Sequence, residues 1–492
     1  MPSIVSIRNN AQESADSSDS AAEPPADVPL ADNRNAEKLE KTLLPRHITM
    51  MSLGGTIGAG LFIGIAEPLT NVGPLGAMIA YLLAGLVMLA TMMCLGELSC
   101  AMPSAGSFQY YLYKLFPNPI WSFVVGWLYW LSWVFALAAG LIAAGIITNE
   151  LFPAFAVWQY SLFFLVSLLF FNSLSANAFG ETEYWLAGVK VFAIVFFIFS
   201  GLYLLYVRQQ TGWMPTLQVN GSYFPHGSWA ILTSMAVVIY SFQGAELIGN
   251  VAAETPHPEK TLPKVIRGVG VRIILFYVLA VGILALLNPY GYTKSDSGPF
   301  VDVFRELGIP ATDTLMKLVI LSAALSAANS AIYACSRMFW TMANERMAPT
   351  FFQKLSGHHV PLRAIMLCGL LSLVCLFSKS LSAQRLFLFL IASTAQVGCL
   401  AWIVIGICLL KYRALVRKGE LTEPEAGFKT PLPCVTAWAV IVINMVIIVG
   451  GWFSEDGLNM LIAEGVITLL VLLGYWGAYR RRNPSGGEAE QA

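Results

Sequence analysis

The 492 residues are 57% hydrophobic and 12% charged, with mean hydropathy +0.66 and 29 basic against 29 acidic side chains. Soluble domains carry roughly 25% charged residues, so a string of soluble domains is excluded and an all-α integral membrane protein is expected. A helix of about 21 residues crosses a hydrocarbon core of ~30 Å, so twelve such segments would use about half the chain and leave only short loops and a tail.

In chain order, residues 1–40 come first, with eight acids and three bases, a net of −5. This stretch is rich in Ser, Ala, Asp and Pro, cannot bury enough apolar surface to offset its ordering entropy, and is expected to be a disordered cytoplasmic tail. It lacks the basic start and apolar run of a cleavable signal peptide. Apolar runs follow near 47–67, 75–101, 119–150, 157–173, 183–207, 228–253, 271–289, 312–342, 361–378, 384–411, 432–453 and 457–479. An even number of spans puts both ends on one side. With the ends inside, the inner segments hold 22 Lys/Arg and the outer loops five, Lys190 and Lys317 lying in or at spans. The positive-inside rule therefore predicts cytoplasmic N- and C-termini for a multi-pass protein of the plasma (inner) membrane.

Two spans are interrupted. The first contains GGTIGAGLFIG (54–64), five glycines in eleven residues, where each Gly opposes continued helix by about 1 kcal/mol relative to Ala. The sixth contains SFQGAELIG (241–249), with Gln243 and Glu246 inside a hydrophobic stretch. Gly58-Ala59-Gly60-Leu61 and Gly244-Ala245-Glu246-Leu247 match in type, five spans apart, which is the trace of an inverted repeat in a secondary transporter. The predicted organisation is a first five-helix repeat over 41–207, an inverted second repeat over 208–411, two extra helices over 412–480 and a cytoplasmic tail over 481–492.

A helix broken at mid-membrane frees backbone groups that lipid cannot satisfy, so it persists only where it faces protein or a watery cavity. The N-terminus of each resumed half, near Leu61 and Glu246, suits a carboxylate. The carbonyls ending each preceding half, around Thr56 to Gly58 and Tyr240 to Phe242, suit an ammonium. Together they suit the zwitterionic head common to all amino acids. The candidate binding residues are Thr56, Ile57, Gly58, Ala59 and Gly60 at the first break and Tyr240, Ser241, Phe242, Gln243, Gly244, Ala245 and Glu246 at the second, with Asn329 of the eighth span. Three alternatives stay open: glycines that only permit close helix packing, a Glu246 satisfied by the amides around it, and an Asn329 that bridges helices.

Lys190, in WLAGVKVFAIVFF, costs about 2.5–3.5 kcal/mol to insert in a span, so a role is expected. Burial penalises its charge, which suits it to exchanging a proton during a transport cycle. The alternative is a lysine snorkelling to the inner interface near Glu181 and Glu183. The eight cysteines form no CxxC pair and fall mostly in apolar runs, which favours packing over disulfide or metal. None of the five histidines stands at metal spacing. No Gly-Lys dipeptide, HExxH or GxSxG occurs, which leaves no P-loop and no familiar catalytic constellation, so the chain is not expected to be an enzyme.

These residues resemble the amino acid permeases of the amino acid, polyamine and organocation superfamily. The matching pieces are GGTIGAGLFIG (54–64), GELSCAMPSAGSF (96–108), FGETEYWLAGVKV (179–191), SFQGAELIG with AAETPHPEKTLPKVIR (241–267) and LSAANSAIYACSRM (325–338), in the family's order and spacing. The resemblance implies two inverted five-span repeats with discontinuous helices 1 and 6, two additional spans, and alternating access to a central site. It implies that Lys190 takes the place of sodium in sodium-coupled relatives, hence proton coupling. SFQG-x-ELIG looks most like members carrying lysine or arginine, where the acid matching Glu246 is associated with substrate recognition. Such members often carry another acid in the third span; Gly140 stands there instead.

The expected function is proton-coupled amino acid uptake, leaning to a cationic substrate. An amino acid exchanger and a membrane amino acid sensor are the rivals. The expected partners are an amino acid, protons and the lipid bilayer, with no nucleic acid, no metal and no cofactor.

Overall fold

The computed structural model describes residues 45–479 except 175, 213–216, 220, 253–254, 256–257, 288–297, 307–310, 422–427 and 454–456. The acidic N-terminal tail and the C-terminal tail of the sequence reading lie outside the described residues.

The first apolar run does not form one helix. It is divided into α1 (Pro45–Thr56), α2 (Ala59–Phe62) and α3 (Ala66–Asn71), with Gly58 extended between the first two. Gly73, at φ +84°, then turns the chain into α4 (Pro74–Ala101), whose first residue is a proline with no amide hydrogen to leave unbonded. An amphipathic α5 (Ser107–Leu115) leads to α6 (Ile120–Leu151), α7 (Val157–Asn172) and α8 (Ala176–Gln210).

The second half repeats the pattern. A broken pair, α9 (Trp229–Tyr240) and α10 (Leu247–Val251), is followed by α11 (Pro258–Leu287), a short α12 (Pro299–Glu306), α13 (Thr312–Asn344) and α14 (Leu362–Ser372), the last continuing as a 3-10 helix over Leu373–Lys379. α15 (Ala383–Lys418) starts on a Ser382 cap and ends at Gly419, whose φ of +76° only glycine adopts without cost. α16 (Pro433–Gly451) and α17 (Gly457–Gly474) complete the bundle.

Among the described residues nine helices are long and apolar enough to span a membrane. The shorter α7 is a tenth apolar segment, and the two broken runs bring the total to the twelve read from the sequence. The packing partners show why two halves are the natural division. α1 packs on α8 as α9 packs on α15; α6 packs on α15 as α13 packs on α8; α4 meets α11 and α6 meets α13 across the centre. Replacing each span by the one five later leaves this pattern of neighbours unchanged, which an odd, inverted duplication requires. α16 and α17 stand outside the exchange, α16 against α4, α9 and α15, and α17 against α6.

Candidate functional site

The two breaks touch each other. Gly244 adopts φ +100°, and a Cβ there would run into the Gly55 carbonyl oxygen; a Cβ on Gly55 would lie 2.8 Å from Leu247 Cδ1. Gly60 faces Tyr240, whose Cδ1 would lie 2.7 Å from an added Cβ. The glycines therefore allow one broken backbone to approach the other, and their absent side chains are the reason the contact exists.

Hydrogen bonding divides the freed groups. The Tyr277 hydroxyl, from α11, lies 3.0 Å from the Thr56 carbonyl and 2.8 Å from the Ser241 carbonyl, tying the end of one half helix to the end of the other. Two of the carbonyls assigned from sequence to an ammonium are thus engaged by one hydroxyl. Phe242 is fully buried beside Tyr277, with ring centroids 4.7 Å apart, and Ser241 Oγ lies 3.3 Å from the Tyr81 hydroxyl. At the second break the Gly244 amide donates to Glu246 Oε2 at 3.1 Å, so the acid two residues on satisfies an amide of the unwound turn. Its other oxygen accepts from the Tyr129 hydroxyl at 3.1 Å, and the residue is 1% exposed. Gln243 donates through Nε2 to the Ala395 carbonyl at 3.0 Å, lying over Gly398, which has no side chain to block it.

A small cavity of about 40 Å³ lies where the breaks meet. Of the residues named from sequence, Thr56, Gly58, Ala59, Gly60, Tyr240, Gln243 and Glu246 line it. Ile57, Ser241, Phe242, Gly244 and Ala245 belong to the same two breaks but stand behind its wall. The remaining wall includes Tyr129, Ser132, Trp133, Ala136 and Gly140 of α6 and Thr394 of α15, none singled out as a binding residue from sequence. The α6 residues recur at helical spacing, on one face, and that periodicity with its hydroxyls and aromatic rings was the available signal.

Asn329 lies elsewhere. It accepts from Asn172 Nδ2 at 2.6 Å and its own Nδ2 lies 3.4 Å from Glu183 Oε2. Glu183 also accepts from the Ser326 hydroxyl and stands 3.8 Å from Lys190 Nζ, both charged side chains being fully buried. The Lys190 ammonium donates to the Gly54 carbonyl, so this second cluster reaches the first break from behind. Glu181 pairs instead with Arg46 at 2.6 Å and His47 at 2.9 Å, and Lys190 does not reach an interface. Among the described residues no group of three or more His, Cys, Asp or Glu is arranged to hold a metal.

The sequence profile of the amino acid permease family matches residues 47–483. This chain belongs to that family. Amino-acid permease RocC of Bacillus subtilis is 37% identical, the match covering 80% of this permease and 85% of that protein. The lysine-specific permease LysP of Escherichia coli is 35% identical over 77% of this chain and 79% of its own. In fold, the permease is similar to MhsT, a structure solved in complex with L-phenylalanine, with a TM-score of 0.59 over 84% of this chain and all of MhsT at 14% identity. The molecule is therefore a multi-pass membrane protein of two repeated halves that transports amino acids, and it is a transporter rather than an enzyme.

Proposed function

We propose that this permease drives uptake of an amino acid, with a preference for a cationic side chain, by coupling it to protons through alternating access. The observation that carries the reading is the meeting of the two breaks at one cavity with the Glu246 carboxyl on its wall. The α-carboxylate would take the amides that begin α2 near Gly58 to Gly60, and the α-ammonium the carbonyls near the breaks. The substrate's distal cation would face Glu246, exchanging for the bond from Tyr129. A named lysine permease among the relatives is consistent with this side-chain preference.

A cavity of about 40 Å³ exceeds one water's ~30 Å³ share by little, so binding an amino acid requires its walls to part. Tyr240, pressed against Gly60, is the wall nearest the first break. Movement of one repeated half against the other would open it, while Lys190, giving up its proton, would release the Gly54 carbonyl and with it the first half helix. The termini would lie in the cytoplasm and the spans in the plasma (inner) membrane, as the distribution of basic residues favours.

Competition of all twenty amino acids against radiolabelled lysine in proteoliposomes, with and without a pH gradient, tests this. The expected result is accumulation that requires the gradient and is blocked best by lysine and arginine. Gradient-independent counterflow without net accumulation would mark an exchanger. Binding without uptake would mark a sensor.

A further inference from the structure

A second cavity, of about 240 Å³, lies between α6, α15, α16 and α17. Its walls are apolar side chains such as Phe135, Phe389 and Ile467, interrupted by Ser132, Ser393, Gln396, Glu464 and Thr468. Three of these present a buried oxygen with no hydrogen-bond partner: Ser393 Oγ, Gln396 Oε1 and Glu464 Oε1. Ser393 and Gln396 are 6% and 3% exposed. Buried polar atoms in folded proteins are nearly always paired, and an acid within a membrane span marks a functional position by default. Two orphan acceptors, and a serine hydroxyl able to accept as well as donate, therefore line one chamber and suit a common donor.

Two of the other polar groups at hand are turned elsewhere. The Gln396 amide nitrogen faces Met460 Sδ at 3.8 Å, and the Ser132 hydroxyl donates to the Tyr129 carbonyl at 2.7 Å. No cationic side chain is among the described residues lining the chamber. The missing chemistry is a positive group with several N–H donors, attached to something apolar. A primary ammonium has three such donors. The chamber is about eight times the ~30 Å³ share of one water, which leaves room for a short hydrocarbon chain.

We propose that this cavity binds a primary aliphatic amine, the ammonium held by Glu464, Gln396 and Ser393 and the chain by the surrounding apolar wall. The site is distinct from the transport cavity. Ser132 lines both, but the acid of one is Glu246 and of the other Glu464. The proposal does not depend on which amino acid the permease carries or on proton coupling.

Equilibrium binding of radiolabelled n-pentylamine to the purified full-length protein in lipid nanodiscs decides it. The wild-type chain should bind one amine saturably, and unlabelled n-pentanol, with the same body and no charge, should compete at least about tenfold more weakly, as hydrogen bonds to a charged group require. Glu464→Gln, which keeps the shape of the side chain, should weaken binding about tenfold or more, and Ser393→Ala by a smaller factor. Glu246→Gln should leave the Glu464-dependent part of the binding in place. Absence of saturable binding, equal competition by the alcohol, or binding kept in Glu464→Gln but lost in Glu246→Gln would each overturn the proposal.

Discussion

The two breaks solve the same problem by opposite means. At the first, between α1 and α2, the chain removes side chains: Gly54, Gly55, Gly58 and Gly60 each sit where a Cβ would press on Ala187, Leu247, Ala327 or Tyr240. At the second, between α9 and α10, it adds them: Glu246 satisfies the Gly244 amide and Gln243 anchors the turn to Ala395 on α15. A break made of backbone offers groups that every amino acid head can use, whereas a break held by an acid offers chemistry that differs with the substrate's side chain. In the proposed function the first would supply general affinity and the second discrimination.

Breaking the contact itself should have the largest effect. Gly244→Ala must accept a positive φ that costs roughly 1–2 kcal/mol and drive its Cβ into a backbone carbonyl that cannot rotate away, so uptake should vanish and the yield of folded protein should fall. Gly55→Ala meets chiefly the tip of Leu247 and should retain part of both. Fluorescence-detected gel filtration with uptake assays on the two variants compares them, and equal behaviour would mean that the contact is not backbone-limited. Next comes the cluster behind the first break. Lys190→Ala should abolish pH-driven accumulation yet keep counterflow; unchanged accumulation under a pH gradient would remove Lys190 from the coupling role. At the second break, Glu246→Gln should weaken a cationic substrate about tenfold and a neutral one less than about threefold, in competition assays, if the charge is worth the ~1.4 kcal/mol that a tenfold change represents. Equal losses would reduce Glu246 to an acceptor for the Gly244 amide.

The smallest effect is expected just past the end of α13. Glu345 accepts from Gln109 Nε2 at 2.7 Å, and burial pushes its carboxyl up to about 7 despite the lowering influence of that bond and of Lys114. A carboxyl raised in the folded state binds more protons there than in the unfolded state, so its contribution is complete below the ordinary carboxylate range and is lost as pH rises through about 7. Melting temperature should therefore decline over that window, and Glu345→Gln should flatten the decline without altering substrate preference. A parallel pH curve for the variant would contradict this.

What could be read from the sequence follows from the cost of each residue in a membrane. Clustered glycine and intramembrane Glu and Lys are expensive unless used, so the breaks, Glu246 and Lys190 stand out against their apolar surroundings. Tyr129, Trp133 and Tyr277 carry no such cost, because an aromatic ring in a span is cheap and packs anywhere; helical spacing puts the two α6 residues on one face, and the folded chain shows that this face and the Tyr277 hydroxyl meet the breaks. Asn329 shows the limit of reading polarity without direction. Ala327 of the same helix lines the cavity, and two residues further on an α-helix has turned by about 200°, which carries Asn329 to the Glu183 and Lys190 cluster instead.

The most direct test of the central claim is an experimental density map of the protein in a bilayer with a bound amino acid. Interrupted helices are expected at Gly58 and Gly244 with the ligand's head between them, its carboxylate against the amides that open α2 and its side chain toward Glu246. Continuous helices through either glycine, or a transported ligand seated away from both, would contradict it.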